Sequence, residues 1–335
     1  MWFRATEAFQ WFEQGGNGMA GRTEVMTSRG MVSTAARPEG LALFWEKFGT
    51  SYLFMAPFLV FFAIFVVAPV LTAVYLSFTY FNVLEAPRFI GWSNYKLLFL
   101  EDDVFIIAIA NTLTFAIITG PVGFFLSFMF AWLINPLKLK TPLALCFYAP
   151  SITGAVAMGV VWKIVFSGDR YGYLNNWLLG IGVIDEPYQF LAEQAAIMPV
   201  IMFVALWMSM GTGFLVFLAG LQTVPGDLYE AGKMDGIRNP LQEVWYITLP
   251  MIKPQLLFGS VMAVVAGFSV FEVATSLAGL PSPLYAGHTI VAHMYDFAFI
   301  RFEMGYATTV AVFLFLLTFG LGRLLMRMFS SKNEY

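Results

Sequence analysis

Cysteine and histidine are scarce in this chain of 335 residues, and the motifs that mark common enzymes are missing. The single cysteine, Cys146, excludes a framework of intrachain disulfide bonds and a metal site built on several thiolates. The two histidines, His288 and His293, have a spacing that does not put two metal ligands on one helical face. The sequence contains no G-x-x-x-x-G-K-[ST], H-E-x-x-H or G-x-S-x-G motif. These absences argue against an enzyme, and any ATP hydrolysis that drives this protein must occur on another chain.

Charged residues are also few. They make up 12% of the chain, about half of the roughly 25% that is usual in soluble domains. The net charge of −3 and the lack of a basic tract give no indication of nucleic-acid binding. Hydrophobic residues account for 59%, and the stretch 48–84 holds no Asp, Glu, Lys or Arg. Because that stretch exceeds the roughly 20 residues that cross a bilayer as a helix, the sequence predicts a polytopic membrane protein.

Similar apolar stretches recur along the chain, each bounded by charges, prolines or glycines. They predict an all-α fold with six transmembrane helices, at 52–82, 104–135, 141–166, 194–222, 255–279 and 305–329. The segment 281–300 is moderately apolar but short, and Pro281 and Pro283 interrupt it. We therefore expect this segment to lie outside the cell and not to span the membrane.

The positions of Lys and Arg predict the orientation, because the cytoplasmic loops of membrane proteins are enriched in these residues. With the N-terminus inside, most of the 18 Lys and Arg residues are cytoplasmic, and the external ones are Arg88, Lys96, Lys163, Arg170 and Arg301. We expect both termini in the cytoplasm, with 1–47 as a cytoplasmic tail and 48–335 as a transmembrane domain. Two alternatives concern the tail: its aromatic residues between Trp2 and Phe12 form an interfacial helix, or the biological start is Met26 or Met31.

The predicted cytoplasmic loop between helices four and five, 225–250, has the pattern of two short helices joined by a tight turn. Asp227 and Glu230 have the spacing of a capping box at the start of the first helix. Gly236 suits the left-handed residue that ends this helix. Asn239, followed by a proline, predicts the cap of the second helix.

This loop resembles a known family. The run Pro-Gly-Asp-Leu-Tyr-Glu-Ala at 225–231, followed by Asp235 and Gly236, is similar to the E-A-A-x-x-x-G loop, the EAA motif, of permease subunits of binding-protein-dependent ABC importers. Three further blocks resemble the sugar-importer branch, that of the larger maltose permease and the glycerol-3-phosphate permease: 89–95, 111–115, and Trp162 with 172–175. The resemblance covers about 88–329.

Gly232 departs from the family pattern, because the second Ala of the motif usually stands there. The change lowers helix propensity by roughly 1 kcal/mol without removing a polar contact. We therefore expect the function of the loop to survive it.

The resemblance implies that the loop is a coupling helix that docks on an ATPase, with Glu230, Ala231, Asp235 and Gly236 as its coupling residues. The alternative is that Glu230 only caps the helix and Gly236 only ends it. The resemblance also implies partners: a second homologous permease subunit, two ATPase subunits that hold ATP and Mg²⁺, and an extracellular or periplasmic solute-binding protein. The expected location is the bacterial inner membrane, and no cofactor is expected in this chain.

Glu272 is the one acidic residue inside a predicted span, near the middle of helix five. An ionised side chain there costs a few kcal/mol unless it faces water or a partner. Phe268, Phe271 and Thr275 lie at helical spacings around it and form a stripe suited to stacking a sugar ring and bonding its hydroxyls. The alternative is that Glu272 only ties helices together.

The resemblance places the substrate on helices four and five, which makes Met208, Ser209, Thr212, Phe268 and Phe271 candidate substrate residues together with Glu272. The small residues of helix four, Ser209, Gly211, Thr212 and Gly213, also permit close helix packing, which is the alternative explanation. Asn111, in the second span, is expected to cap or bridge helices.

These observations predict a permease subunit that forms half of the translocation pathway of an ATP-driven importer for a sugar or oligosaccharide. The alternative from another class is an ion-coupled secondary transporter that works without an ATPase and uses Glu272 as its proton or cation site. That alternative does not explain the loop of two short helices at 225–250.

Overall fold

The structure, a computed structural model, describes residues 40–329, with side chains from residue 49 onward. The predicted tail 1–47 lies outside the described residues except for its last few backbone positions. There a helix, Gly40–Phe62, begins well before the predicted start at 52. The chain divides into two units, Met1–Phe61 and Phe62–Tyr335, and this helix is the part of the first unit that the structure describes.

Five helices among the described residues are long and apolar enough to cross a membrane: Gly49–Leu76, Asp103–Ile134, Gln194–Gln222, Lys253–Ala278 and Met304–Met328. A bent pair, Lys140–Ile152 and Ala155–Val165, provides a sixth if it counts as one span. We number these spans 1 to 6 in chain order, with the bent pair as span 3. The prediction of an all-α polytopic membrane protein is confirmed.

Span 1 ends at Leu76 and not at 82. The chain then forms a short antiparallel pair of strands, Thr79–Tyr80 and Arg88–Phe89, with Thr79 opposite Phe89. The side-chain amide of Asn94 donates to the carbonyls of Ser77 and Thr79, at 3.0 and 2.9 Å. These carbonyls therefore have hydrogen-bond partners although the helix does not continue. For this reason the apolar pattern overestimates the length of span 1.

Span 3 is also different from the prediction of one helix at 141–166. Its two halves make an angle of 94°. Thr153 and Gly154, with ψ of 131° and 135°, have extended backbone and interrupt the helix just after Pro150. Because glycine is a poor helix former, Gly154 favours a break at this point.

The remaining elements are short helices and local widenings of the spans. Two α-helices lie between spans, at Ser93–Leu100 and Tyr173–Gly180, and a 3₁₀ turn lies at Pro283–Tyr285. Span 1 contains a π-helical turn, Ala63–Val67, before the α-helix Ala68–Leu76. Span 5 consists of Lys253–Phe268 and Glu272–Ala278, and the helix of span 6 runs over Met304–Phe329.

Span 4 contacts spans 2, 3 and 5 in the second unit. A Cβ at Gly211 would lie 3.0 Å from the Cα of Tyr148 in span 3, and one at Gly213 would lie 3.0 Å from Oγ of Ser127 in span 2. Only glycine permits such approaches, so the small residues of span 4 do serve close helix packing.

The residues 279–303, the span 5–6 linker, contain a helix, Ile290–Tyr295, that continues as a π-helical turn, Asp296–Ile300. This helix is too short to be a span, as predicted. The linker is nevertheless not an exposed loop, because His288, Thr289 and Ile290 are at most 2% exposed. It packs against spans 2 and 6.

Candidate functional site

The first helix of the loop between spans 4 and 5 is Gly226–Met234, and the residue before it is Pro225. The helix has no side-chain cap, so the predicted capping role of Asp227 and Glu230 is wrong. Because Pro225 occupies the cap position, Asp227 lies inside the first turn. Its negative charge there still interacts favourably with the positive end of the helix dipole.

The end of this helix follows the prediction. Gly236 has φ of +93°, in the left-handed region that favours glycine. The N–H of Ile237 donates to the carbonyl of Gly232 at 2.9 Å, and the N–H of Gly236 donates to that of Lys233 at 3.2 Å. These two bonds make a Schellman motif, which closes the helix and fixes the direction of the following chain.

The second helix of the loop starts at Pro240, and its cap is the predicted Asn239. The Asn239 side chain accepts from the N–H of Leu241 at 3.0 Å, and the Gln242 side chain accepts from the N–H of Asn239 at 3.3 Å. The helix Pro240–Glu243 continues through a π-helical turn, Val244–Thr248, to Leu249–Met251. The hydroxyls of Tyr229 and Thr248, 3.0 Å apart, join the two helices.

The predicted coupling residues Glu230, Ala231, Asp235 and Gly236 are all exposed on this helix pair. Next to them, Leu241, Trp245 and Tyr246 are 67%, 69% and 68% exposed. A cleft of about 340 Å³ runs between the two helices; Ala231 and Asp235 line it on one side, and Tyr246 lines it on the other. Exposed apolar side chains on a pair of helices with a fixed turn form a surface suited to binding a protein partner.

Gly232 is the buried residue of the first helix. A Cβ there would lie 2.7 Å from Cδ1 of Ile247 and 3.2 Å from Cδ1 of Ile237. The glycine that departs from the family pattern thus lets the second helix pack closely on the first.

Span 5 is broken at 269–271, which the sequence did not predict. Its first segment ends at Phe268, and its second starts at Glu272. Phe271, between them, has φ of −139° and ψ of −64°. Glu272 is exposed, and it lies in the last third of the span along the chain and not near its middle.

The break changes the predicted stripe of span 5. Phe268 is 3% exposed and packed inside the protein, whereas the Phe271 ring contacts the ring of Tyr295 in a tilted arrangement, with ring centres 4.8 Å apart. Phe268, Phe271 and Glu272 therefore do not form one helical face, because helical spacing does not hold across a non-helical residue. Thr275 donates from its hydroxyl to the carbonyl of Phe271 at 2.9 Å and braces the turn.

The predicted substrate residues of span 4 lie in two environments. Met208 packs against the apolar cluster that includes Val270 and Ala274 of span 5. Ser209 and Thr212 are exposed, and the Ser209 hydroxyl bonds within its own helix, to the carbonyl of Leu206 at 3.3 Å. Span 4 contacts both segments of span 5, so the two sets of candidates lie on neighbouring helices.

Sequence reasoning missed a buried polar network that joins spans 2 and 6 to the linker. The Tyr306 hydroxyl donates to Oδ2 of Asp102 at 2.6 Å. Nε2 of His293 lies 3.1 Å from the same oxygen, an ion-pair distance, although its direction is poor for a hydrogen bond. Nδ1 of His293 lies 3.3 Å from Nε2 of His288. Both histidines lie in the same apolar segment between spans 5 and 6, which is the one indication of this network in the sequence.

Burial determines the charge states in this network. Burial, together with a smaller effect of the neighbouring His293, lowers the pKa of His288 to about 4. Burial also lowers the pKa of His293, against the opposing effect of Asp102. For Asp102, burial raises the pKa, but the hydrogen bonds from Tyr306 and from the N–H of Phe105 outweigh it, so the net pKa is below its usual value. The histidines are therefore neutral and Asp102 is ionised at neutral pH.

Known proteins with similar sequences decide the family. No family model matches the chain. The arabinooligosaccharide transport permease AraP of Bacillus subtilis is 30% identical over 286 residues, which cover 84% of this chain and 90% of AraP. The chain belongs to the permease subunits of ABC sugar importers. The lactose permease LacF of Rhizobium radiobacter is 29% identical over 78% of this sugar ABC permease and 87% of LacF.

The solved structures show the same fold. A chain of a bacterial ABC transporter that imports the acidic polysaccharide alginate matches with a TM-score of 0.73 and 23% identity, over 86% of the sugar ABC permease and 98% of that chain. The same type of transporter was also solved in complex with an alginate-bound periplasmic protein. The sugar ABC permease is thus a transport subunit of a binding-protein-dependent importer and a multi-pass protein of the bacterial inner membrane.

Proposed function

We propose that this permease forms half of the pathway through which an ATP-driven importer takes up a sugar or oligosaccharide. Two of the relatives are named for arabinooligosaccharides and lactose, and the solved importer is named for alginate. A carbohydrate is the substrate class common to these names. The observation that carries the proposal is the pair of helices at 225–250, which is fixed at its turn and exposes apolar side chains.

The proposed partners follow from this loop. An ATPase subunit binds Glu230, Ala231, Asp235 and Gly236 together with the exposed face of the second helix. ATP and Mg²⁺ bind to the ATPase pair, because this sequence has no phosphate loop. A second, homologous permease forms the other half of the pathway, an external binding protein delivers the sugar, and both termini lie in the cytoplasm.

A coupling helix transmits movement only if it is stiff. The Schellman motif at Gly236, the capping box at Asn239 and the bond between Tyr229 and Thr248 make the two helices of the loop one unit. When the ATPase pair closes on ATP, this unit moves with it and carries spans 4 and 5, which are continuous with the loop.

On the other side, we propose that Met208, Ser209, Thr212, Phe271 and Glu272 contact the sugar. Aromatic rings stack on the apolar faces of sugars, and carboxylates accept hydrogen bonds from their hydroxyls. Phe268 is 3% exposed, so it is left out of the proposed sugar contacts. The ion-coupled alternative would use Glu272 alone and would give the coupling loop no role.

The test is the variant Gly236→Val. A β-branched residue at φ of +93° is strained and displaces the turn between the two helices. We expect sugar-stimulated ATP hydrolysis and uptake by the assembled importer to fall at least about tenfold, since strain of this kind costs on the order of 1–3 kcal/mol.

The matched control is Gly182→Val, because Gly182 also has a positive φ, +71°, and open space around its Cα but lies in a different loop. Its uptake should stay near that of the wild type. Normal coupled hydrolysis and uptake in Gly236→Val would contradict the proposed docking.

A further inference from the structure

Two consecutive residues of span 2 hold the backbone of the span 5–6 linker. The side-chain amide of Asn111 donates to the carbonyls of Tyr285 and His288, at 2.8 and 2.9 Å. The hydroxyl of Thr112 accepts from the N–H of Ile290 at 2.9 Å. Three bonds from one turn of span 2 thus fix the linker between residues 285 and 290.

The linker in turn holds the break in span 5. The Thr289 hydroxyl donates to the carbonyl of Val270 at 2.9 Å and accepts from the N–H of Ala292 at 3.2 Å. Val270 lies in the break, where the helical ladder is interrupted. Because a buried carbonyl without a partner costs about 1–3 kcal/mol, the Thr289 hydroxyl stabilises the broken form of the span.

These bonds are shielded from water. Thr112, Thr289 and Ile290 are each 0% exposed. Span 2 also supports the break directly, because a Cβ at Gly267 would lie 3.1 Å from the Cα of Ala116. Buried polar networks of this kind fix one geometry, since each lost bond leaves an unpaired group in an apolar interior.

The residues next to Val270 are Phe271 and Glu272, the proposed sugar contacts. The ring of Tyr295, from the linker, packs against the ring of Phe271 in a tilted arrangement. The direction in which Phe271 and Glu272 leave the break is therefore set by the linker, and the linker is set by span 2.

We infer that Asn111, Thr112 and Thr289 are positioning residues for the sugar site: they fix the break in span 5 and so tune affinity without touching substrate. The inference rests on the proposed function, in which Phe271 and Glu272 contact the sugar. It also gives a role to the block 111–115, which the coupling loop leaves unexplained.

The test compares Thr289→Val, which removes the hydroxyl at nearly constant shape, with Thr289→Ser, which keeps it. Each variant is assembled with its partner chains in membrane vesicles, and uptake of arabinotriose and lactose is measured over a range of concentrations. Loss of the bond to Val270 should raise KM about tenfold in Thr289→Val, and Thr289→Ser should stay within about twofold of the wild type. The amount of assembled importer and its basal ATPase should not change.

The matched control is Thr309→Val, because Thr309 is also 0% exposed and its hydroxyl donates to the carbonyl of Ser77 at 3.0 Å, away from the break. Its KM should stay normal. An equal rise of KM in Thr309→Val, or an unchanged KM in Thr289→Val, overturns the inference. Absence of uptake of any tested sugar by the wild-type importer overturns the proposed sugar specificity and the inference with it.

A second variant guards against loss of folding. Thr112→Val removes the acceptor for the N–H of Ile290 and should also raise KM in the importer that assembles. Failure of both Val variants to assemble contradicts the inference, because the bonds would then serve folding and not positioning.

Discussion

Single residues in the buried polar network around His288 and Asp102 respond to pH in a predictable direction. In the folded protein the pKa of His288 is about 4, against a usual value of 6.5. Between these values the unfolded chain binds a proton at His288 and the folded chain does not. Stability from this residue is therefore complete above pH 6.5 and is lost as the pH falls towards 4. The lowered pKa of Asp102 acts in the same direction at still lower pH.

We predict that the thermal unfolding midpoint of the purified importer decreases when the pH is lowered from 7 to 5. The variant His288→Asn should show a weaker dependence of this midpoint on pH. One titrating group changes stability by at most about 1.4 kcal/mol per pH unit. Tyr285→Phe is the control, because Tyr285 packs against the His288 ring and its substitution leaves His288 in place. The same slope in the wild type and in His288→Asn would assign the pH dependence to other groups.

Residue-level predictions from the sequence succeeded where local chemistry decides. Gly236 and Asn239 have the predicted roles because a left-handed position and a helix cap depend on the immediate backbone. Asp227 does not cap its helix, because the neighbouring Pro225 takes that position. The burial of His288 and His293 was not predictable, since their partners lie far away in the sequence.

At the scale of helices, the spans are predicted well and their interruptions are not. Spans 2 and 4 match the predicted bounds within one residue, because length and apolarity determine whether a segment crosses the membrane. The break in span 5 depends on Thr289 and on the close approach of span 2, which hydrophobic patterns do not report. For the same reason, the prediction that Phe268, Phe271 and Glu272 form one stripe was wrong.

The break leads to a prediction about Glu272. If this carboxylate bonds sugar hydroxyls, Glu272→Gln keeps part of the bonding and Glu272→Leu keeps none, so uptake should fall more in Glu272→Leu, by about a further tenfold. Glu303→Gln controls for the loss of one exposed negative charge, since Glu303 lies in the linker. Loss of the assembled importer in Glu272→Leu, with normal uptake by what remains, would show that Glu272 ties helices together.

At the scale of the whole molecule, the described part of the permease carries the two proposed functional sites. The loop between spans 4 and 5 presents a stiff helix pair, and the break in span 5 presents Phe271 and Glu272 near the opposite end of that span. Span 5 connects the two directly. In the function that we propose, this connection would couple ATP hydrolysis at one end to sugar release at the other.

The most direct test of this account measures what drives uptake. Right-side-out vesicles that contain the permease, its partner chains and the binding protein are loaded with ATP or with a non-hydrolysable analogue, and uptake of labelled arabinotriose and lactose is followed with and without a protonophore. We predict uptake that requires hydrolysable ATP inside the vesicles and persists when ion gradients are collapsed. Uptake that proceeds without ATP and stops with the protonophore would contradict the account and favour an ion-coupled transporter.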